Sequence, residues 1–433
     1  MVATLIITII TLIVLTLSIL LFPKFKIKHI EIGTYWIIPL VGAILLIICQ
    51  LIPFKEIWNK LTETSEINPL KILVLFFSMT MLSIFLDEVG LFRYMAKKAV
   101  AIAKSSQVSL LIILYLLTAV LTVFTSNDIV ILTLTPFICF FCKNTKINPI
   151  PFLVSEFAAA NTYSMMLIIG NPTNIYLASS ANIDFLSYFK VMALPTLAAG
   201  LVEFILILLI FHKSLKKPLE ATEDNFELKN KIDLIVGLLH LLTCLVLLVI
   251  SGYINLEMWL ISAICAGSLL IYIIIRSIVL KDNTHYIHNT IRRLPWQLIP
   301  FVLSMFVIVI TINYQGISAK IGNLLGTNGV VWTYGISSFL AANVINNIPM
   351  SMLYSTIPLG LDNINYMRAI YATIIGSNIG AFLTPIGALA GIMFTSLTSV
   401  YDVKYGFKEF IKYGFIISIP TILTALGLIA FLV

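Results

Sequence analysis

Apolar runs of about 20 residues, the helix length needed to cross a hydrocarbon core of roughly 30 Å, recur along the whole chain with only short polar connections between them. The first three predict spans at residues 1–22, 34–53 and 69–87. The run at 1–22 lacks the basic start and small-residue cleavage site of a signal peptide and is followed by more spans, so it reads as a retained span. An amphipathic stretch with Arg93, Lys97, Lys98 and Lys104 comes next. The apolar run at 108–142 is too long for one crossing and too short for two comfortable ones, and Ser126, Asn127 and Asp128 interrupt it. This pattern predicts a re-entrant hairpin whose polar tip sits at mid-membrane depth, where non-helical backbone survives only if it is buried in protein or lines a cavity. Residues 148–181 form a span broken at Asn161, Thr162, Tyr163 and Ser164 and again at Gly170, Asn171, Pro172, Thr173 and Asn174, and 189–211 is a final span.

The second half repeats this plan. Spans are predicted at 232–250, 257–275 and 296–314, then a weakly amphipathic stretch at 316–325 and a second hairpin broken at Asn346, Asn347, Ile348 and Pro349. The next span is broken at Ser377 and Asn378 and at Thr384, Pro385, Ile386 and Gly387, and 397–412 leads into the last span. Asn127 and Asn161 are 34 residues apart, Asn346 and Asn378 are 32 apart. Five crossings per copy is an odd number, so the second copy is predicted to be inverted. The expected architecture is an all-α integral membrane protein of two inverted repeats, each with five crossings, one re-entrant hairpin and one broken helix. Residues 1–212 form the first repeat, 213–231 a cytoplasmic linker carrying Glu220, Glu223, Asp224 and Glu227, and 232–433 the second repeat.

Composition agrees with this threading. Of 433 residues 60% are hydrophobic and 11% charged, against roughly 25% charged in soluble domains. The net charge of +7 does not mark a nucleic-acid binder, because the 27 Lys and Arg residues sit in short clusters between apolar runs. Lys24, Lys26 and Lys28 place the first connection in the cytoplasm. In all, 21 basic residues fall in segments assigned to the inside and 6 outside, the bias that sets orientation. A multi-pass protein of the plasma membrane, of prokaryotic type, is expected. Cys49, Cys139, Cys142, Cys244 and Cys265 all lie in apolar segments, so neither a disulfide framework nor a metal cage is indicated. No phosphate-binding GxxxxGK[ST] loop is present, and no soluble domain carries one, so the chain alone does not hydrolyse ATP. It is expected not to be an enzyme and to need no cofactor.

The candidate chemistry lies at the four breaks, where half-helix N-termini offer free N–H groups and unwound segments offer carbonyls. Asn127, Asn161, Thr162, Asn171, Thr173, Asn174, Asn346, Asn347, Ser377, Asn378 and Thr384 are predicted to form a substrate cage, with the two hairpin tips facing each other. Such residues also cap broken helices and join neighbours, but their matched placement in the two halves favours a cage. A carboxylate at bilayer depth is costly and usually paired, hydrated or functional, which makes Asp128 the candidate ion-coupling group. Glu156 and Glu203 also fall inside spans, without a sequence signal placing them near the breaks. Asp87 and Glu88 read as solvated or capping residues, and His240 as a packed interhelical residue.

These breaks resemble the ion transporter superfamily, and most closely the arsenite/antimonite permease family, over nearly the full length. The resemblance is carried by Leu86, Asp87, Glu88, Val89, Gly90, Leu91 and Phe92, by Phe124 to Asp128 with Leu134, Thr135 and Pro136, and by Leu294, Pro295, Trp296 and Gln297. It is carried further by Asn346, Asn347, Ile348 and Pro349, by Gly376, Ser377, Asn378, Ile379 and Gly380, and by Thr384, Pro385, Ile386 and Gly387. It implies export of arsenite or antimonite driven by the proton gradient, in some relatives with a cytoplasmic ATPase subunit, and often as a homodimer. More remote relatives carry sodium with dicarboxylates or exchange sodium for protons. Where arsenite permeases typically carry an acidic residue in each broken span, this chain has Asn161 and Asn378. Arsenite is mostly a neutral trihydroxide at pH 7, which amides and hydroxyls can bind without opposing charge. The same cage with helix N-termini also suits an anion, although no Arg or Lys lies at the breaks to clamp a dicarboxylate. The expected partners are thus a small inorganic solute or anion, H+ or Na+ as coupling ion, and the lipid bilayer. Rival readings are a sodium-coupled anion carrier, an Na+/H+ antiporter and an uncoupled channel.

Overall fold

The computed structural model describes residues 1–22, 24–27, 30–63, 68–103, 106–216, 230–279 and 286–433. Lys28, Lys104 and Glu220, Glu223, Asp224 and Glu227 of the linker lie outside the described residues. The chain opens with helix α1 (Val2–Leu21), strands β1 (Lys24–Ile27) and β2 (Ile30–Gly33), then α2 (Ile37–Ile48), α3 (Phe54–Thr62), α4 (Pro69–Glu88) and α5 (Leu91–Ala103). Helices α6 (Gln107–Phe124) and α7 (Asn127–Asn144) follow, then α8 (Ile150–Tyr163), two single-turn 3-10 segments (Ser164–Met166 and Ile168–Gly170), α9 (Pro172–Ser180) and α10 (Phe185–Phe211). The second half runs through α11 (Lys231–Val249), α12 (Ser251–Ile254), α13 (Met258–Val279), α14 (Tyr286–Arg293), α15 (Leu298–Tyr314), α16 (Ile317–Leu325), α17 (Val330–Ile345) and α18 (Asn347–Tyr354). It closes with α19 (Asn363–Gly380), α20 (Leu389–Val400) and α21 (Phe407–Leu432).

Polar caps fix where several helices start. Asn68 accepts the Leu70 N–H ahead of Pro69, and Asp184, Asn230 and Asp362 each accept two N–H groups of α10, α11 and α19. Burial pushes the Asp184 carboxyl up, but the hydrogen bonds from Ser187 and Leu186 outweigh it and leave the group below its ordinary range. Eight helices among the described residues are long and apolar enough to cross a membrane. Leu194, Leu197, Leu201, Ile205 and Leu209 form an exposed apolar stripe on α10, and Ile232, Ile235, Leu239, Leu242 and Val246 form another on α11. Exposed apolar faces of this extent suit lipid rather than water. At the centre the arrangement reverses: α8 from Pro151 to Thr162 and α19 from Ala369 to Gly380 are buried on every side.

Several expectations need correction. The helical membrane architecture stands with one addition, as β1 and β2 pair antiparallel with Lys24 opposite Gly33. The alternation Lys24, Phe25, Lys26, Ile27 is the period-2 signal of a strand. The predicted span at 34–53 is only the 12-residue α2, followed by an amphipathic helix, α3. The arms of the first hairpin are 18 residues each, about 27 Å at 1.5 Å per residue, and meet at the expected tip. In the second broken span, α19 runs on through Ser377 and Asn378 to Gly380, so the break lies at 381–388. The connector at 397–412 is mostly helix, with α20 ending at Val400 and α21 starting at Phe407.

Two contacts lock the helices around the centre. A Cβ on Gly376 would meet Ser338 Oγ and come within 2.6 Å of Gly335 O, so α17 and α19 pack closely through small residues. Asp233 of α11 pairs with Arg276 of α13 (Oδ1 to Nε 2.5 Å) and accepts the Tyr272 hydroxyl at 2.8 Å. Both charges are nearly inaccessible, and removing Asp233 takes the carboxylate from a buried Arg276 charge. Asp233→Ala is expected to cost about 3–5 kcal/mol, read as a lowered melting temperature in detergent that a companion Arg276→Leu change partly restores. An unchanged melting temperature for the single variant would refute this role.

Candidate functional site

The two broken spans meet through Asn378. Its side-chain oxygen accepts from Ser164 Oγ (2.8 Å) and Asn171 Nδ2 (3.1 Å), and its nitrogen donates to Asn174 Oδ1 (2.6 Å) and to Ile374 O (2.8 Å). Asn171 and Ser164 flank the two 3-10 turns of the first break, and Asn174 donates across that break to Ser164 O (2.8 Å) and Leu167 O (3.2 Å). The chain fits this tight bend because Gly170 lies against the Ser164 carbonyl, where any Cβ would collide. Asn161, at the end of α8, accepts from Asn127 Nδ2 at 3.2 Å. Asn161, Asn174 and Asn378 are fully inaccessible, and Asn127 and Asn171 nearly so.

Each hairpin tip thus binds the broken span of its own half. Asn127 reaches Asn161, while Asn346 Nδ2 donates to Ile386 O (3.0 Å) and the Asn347 N–H to Gly387 O (2.9 Å). No hydrogen bond joins the two tips among the described residues, so the cage centres on the broken spans instead of forming tip to tip. Asn346 holds φ 69° and ψ 150°, a combination costing roughly 1–3 kcal/mol outside glycine that recurs at functional sites. Ser377 bonds Ser351 (3.2 Å) and Thr384 bonds Asn343 (2.7 Å), which also donates to Gly380 O (3.0 Å). These two sites brace the second break and do not reach the amide cluster. Thr162 turns away to bond Glu203.

Three buried polar atoms at the site have no protein partner: Ser126 Oγ, Asn127 Oδ1 and Thr173 Oγ1. Buried polar groups are rarely left unpaired, so these atoms are available to a bound solute or water. Asp128 stands in the first turn of α7, partly exposed and with no hydrogen bond among the described residues, and it interacts electrostatically with Tyr35. Among the described residues no cluster of His, Cys, Asp and Glu is able to hold a metal.

Two wide cavities are present. One, of about 290 Å³, is lined by Lys71, Asp184, Asn255, Glu257 and Trp259. Partial burial pushes the Glu257 carboxyl up, and hydrogen bonds from Lys71 (2.5 Å) and Trp259 (2.7 Å) more than reverse this. Ile72 lines both this cavity and a small apolar one that reaches Thr173. The other wide cavity, of about 350 Å³, holds Lys143, Asn148, Asp402 and Lys404. At the end of α4, Asp87 and Glu88 are not merely solvated: Arg293 bonds both, at 2.6 and 2.5 Å.

Sequence reasoning missed Ser164, Asn343 and Ser351 as partners within the breaks, and the roles of Glu156 and Glu203. Ser164 stood in the polar run already singled out. Asn343 and Ser351 lie a turn from the second hairpin tip, so helical spacing from Asn346 and Asn347 was the signal available. Glu156 accepts from Thr135 with both oxygens (3.0 and 2.9 Å).

Comparison with known proteins places the chain among membrane transporters. The sequence profile of the citrate transporter family matches residues 27–363. The chain is 25% identical over 385 residues to the arsenical pump membrane protein of Escherichia coli K12, covering 82% of this chain and 85% of that protein. It is 24% identical to the arsenical pump membrane protein of Yersinia enterocolitica, with 82% and 85% covered. Among solved structures, the YdaH transporter of Alcanivorax borkumensis superposes with a TM-score of 0.55 at 14% identity, covering 99% of this chain and 97% of that one. At that identity the likeness shows the fold.

Proposed function

The chain belongs to the citrate transporter family and is a multi-pass membrane transporter, and from that premise we propose that it is a secondary active exporter of a small, uncharged inorganic hydroxide of the arsenite type, driven by the proton gradient. The observation that carries this reading is the sealed cluster of Asn161, Asn171, Asn174 and Asn378 at the meeting of two broken helices, which no charged side chain enters among the described residues. Amides supply donors and acceptors in equal measure, matching the hydroxyls of a neutral solute, whereas citrate or a dicarboxylate calls for Arg or Lys. The arsenical pump relatives favour the same substrate. We read residues 1–212 and 232–433 as two inverted repeats joined by 213–231, so that rocking of one break against the other alternately opens the site toward the two wide cavities. Asp128, unpaired at the first hairpin tip, is the proposed coupling group.

Uptake into everted vesicles tests this. Arsenite is expected to accumulate under an imposed proton gradient and to lose that accumulation when a protonophore is added. Sodium-linked flux of citrate or succinate without arsenite flux would overturn the reading in favour of an anion carrier, and gradient-independent conductance would mark a channel.

A further inference from the structure

Glu203 of α10 is fully inaccessible and lies on the buried face formed by Thr196, Ala199, Gly200, Glu203 and Ile207. It makes no ion pair among the described residues. Its two oxygens meet two hydroxyls: Thr162 Oγ1 bonds Oε2, and the Tyr115 hydroxyl lies 3.1 Å from Oε1. Tyr115 OH is also 2.6 Å from the Gly200 carbonyl, which can only accept, and a phenol has one proton to give. With that proton on Gly200 O, the Tyr115 to Glu203 contact is a hydrogen bond only if the carboxyl supplies the proton. The result is a head-to-tail chain in which Thr162 donates to Glu203, Glu203 to Tyr115, and Tyr115 to Gly200, with the Tyr163 hydroxyl also within hydrogen-bond reach of Tyr115. An ionised carboxylate here would keep a single full donor and no countercharge, a state that burial strongly disfavours. Tyr115 from α6 and Tyr163 from α8 are the titratable groups facing it. From α21, Tyr413 packs on Phe211, two turns away, and no other charged or titratable side chain reaches it from α21 or α11 among the described residues.

Thr162 is the link to transport, because it follows Asn161 directly and so belongs to the broken span that closes the amide cluster. We propose that Glu203 is a second proton-binding site, protonated in this conformation, which releases its proton when movement of the first break, carrying Thr162 with it, admits water to the carboxyl. On release the carboxyl O–H bond breaks, the carboxylate keeps the electron pair and the proton passes to an entering water; the return step takes a proton from water on the other side. This rests on the proton-coupled reading above. Asp128 is partly exposed, whereas Glu203 is fully inaccessible.

The test pairs infrared spectroscopy of the purified protein in detergent with transport in proteoliposomes. Glu203→Gln, which keeps the carbonyl and a donor, is expected to remove a protonated-carboxyl band from the spectrum. It is also expected to keep arsenite counterflow within about twofold of wild type while reducing gradient-driven accumulation at least tenfold. A carboxyl spectrum unchanged by the substitution, or full accumulation, would overturn the proposal. Should the variant fail to fold, Tyr115→Phe serves instead: it removes the acceptor of the Glu203 proton and is expected to shift the same band, and an unshifted band refutes the chain of hydrogen bonds. If wild type carries no arsenite, the proposed substrate fails while the infrared arm still decides on Glu203.

Discussion

Replacing Asn378 with alanine is expected to abolish transport in every mode, counterflow as well as gradient-driven accumulation. The amide of Asn378 accepts from Ser164 and Asn171 of the other break and donates to Asn174. Truncation leaves the Asn171 donor and the Asn174 acceptor buried without this partner, each worth about 1–3 kcal/mol, while Ser164 keeps its bond to Asn161 O. Even the low end of that range, taken twice and lost from solute binding, corresponds to roughly thirtyfold in affinity. Radiolabelled arsenite counterflow in proteoliposomes measures it directly, and counterflow within tenfold of wild type would show that the cluster is structural. Asn378→Asp separates binding from folding, since a carboxylate still accepts from Ser164 and Asn171. That variant is expected to fold and to give a flux that varies with pH, because it places a titrating carboxyl inside the amide cluster.

Much of this site was legible because membrane burial makes polar residues conspicuous. A run such as Asn171, Pro172, Thr173 and Asn174 inside an apolar stretch has few explanations other than a broken helix, and the structure breaks there. The matched spacing in the second half pointed to the partner break. Direction was less legible. Asn127 and Asn346 sit at corresponding tips, but sequence does not state whether a tip turns toward its counterpart or toward the broken span beside it. The bonds to Asn161 and Ile386 show the latter. Glu203 was invisible for a similar reason: its meaning comes from Thr162 and Tyr115, 41 and 88 residues away. The ribbon at Lys24–Ile27 and Ile30–Gly33 carries a strand's alternation in two runs of four residues, too short to stand out beside helix-length apolar runs.

Asp128→Asn is expected to have an effect as large as Asn378→Ala but of a different kind. Asn keeps the shape of Asp128 at the start of α7 and preserves a polar group near the helix N-terminus, so folding and the amide cluster should persist. What it removes is the ability to change charge. A coupled exporter needs a group whose protonation state differs between its two conformations, because a proton that binds both equally shifts neither. Asp128 is suited to that role: it is partly exposed, accepts no hydrogen bond among the described residues and has no basic partner to hold it ionised. Accumulation against a gradient should therefore fall to the level seen with protonophore, at least tenfold below wild type, while counterflow continues. Asp128→Glu should recover part of the accumulation, since it restores the titrating group at a displaced position. Measuring net accumulation and counterflow on the same vesicles decides the matter. Loss of both would assign Asp128 to the cage with Asn378, and retention of both would remove it from the coupling mechanism and leave Glu203 as the proton site to test.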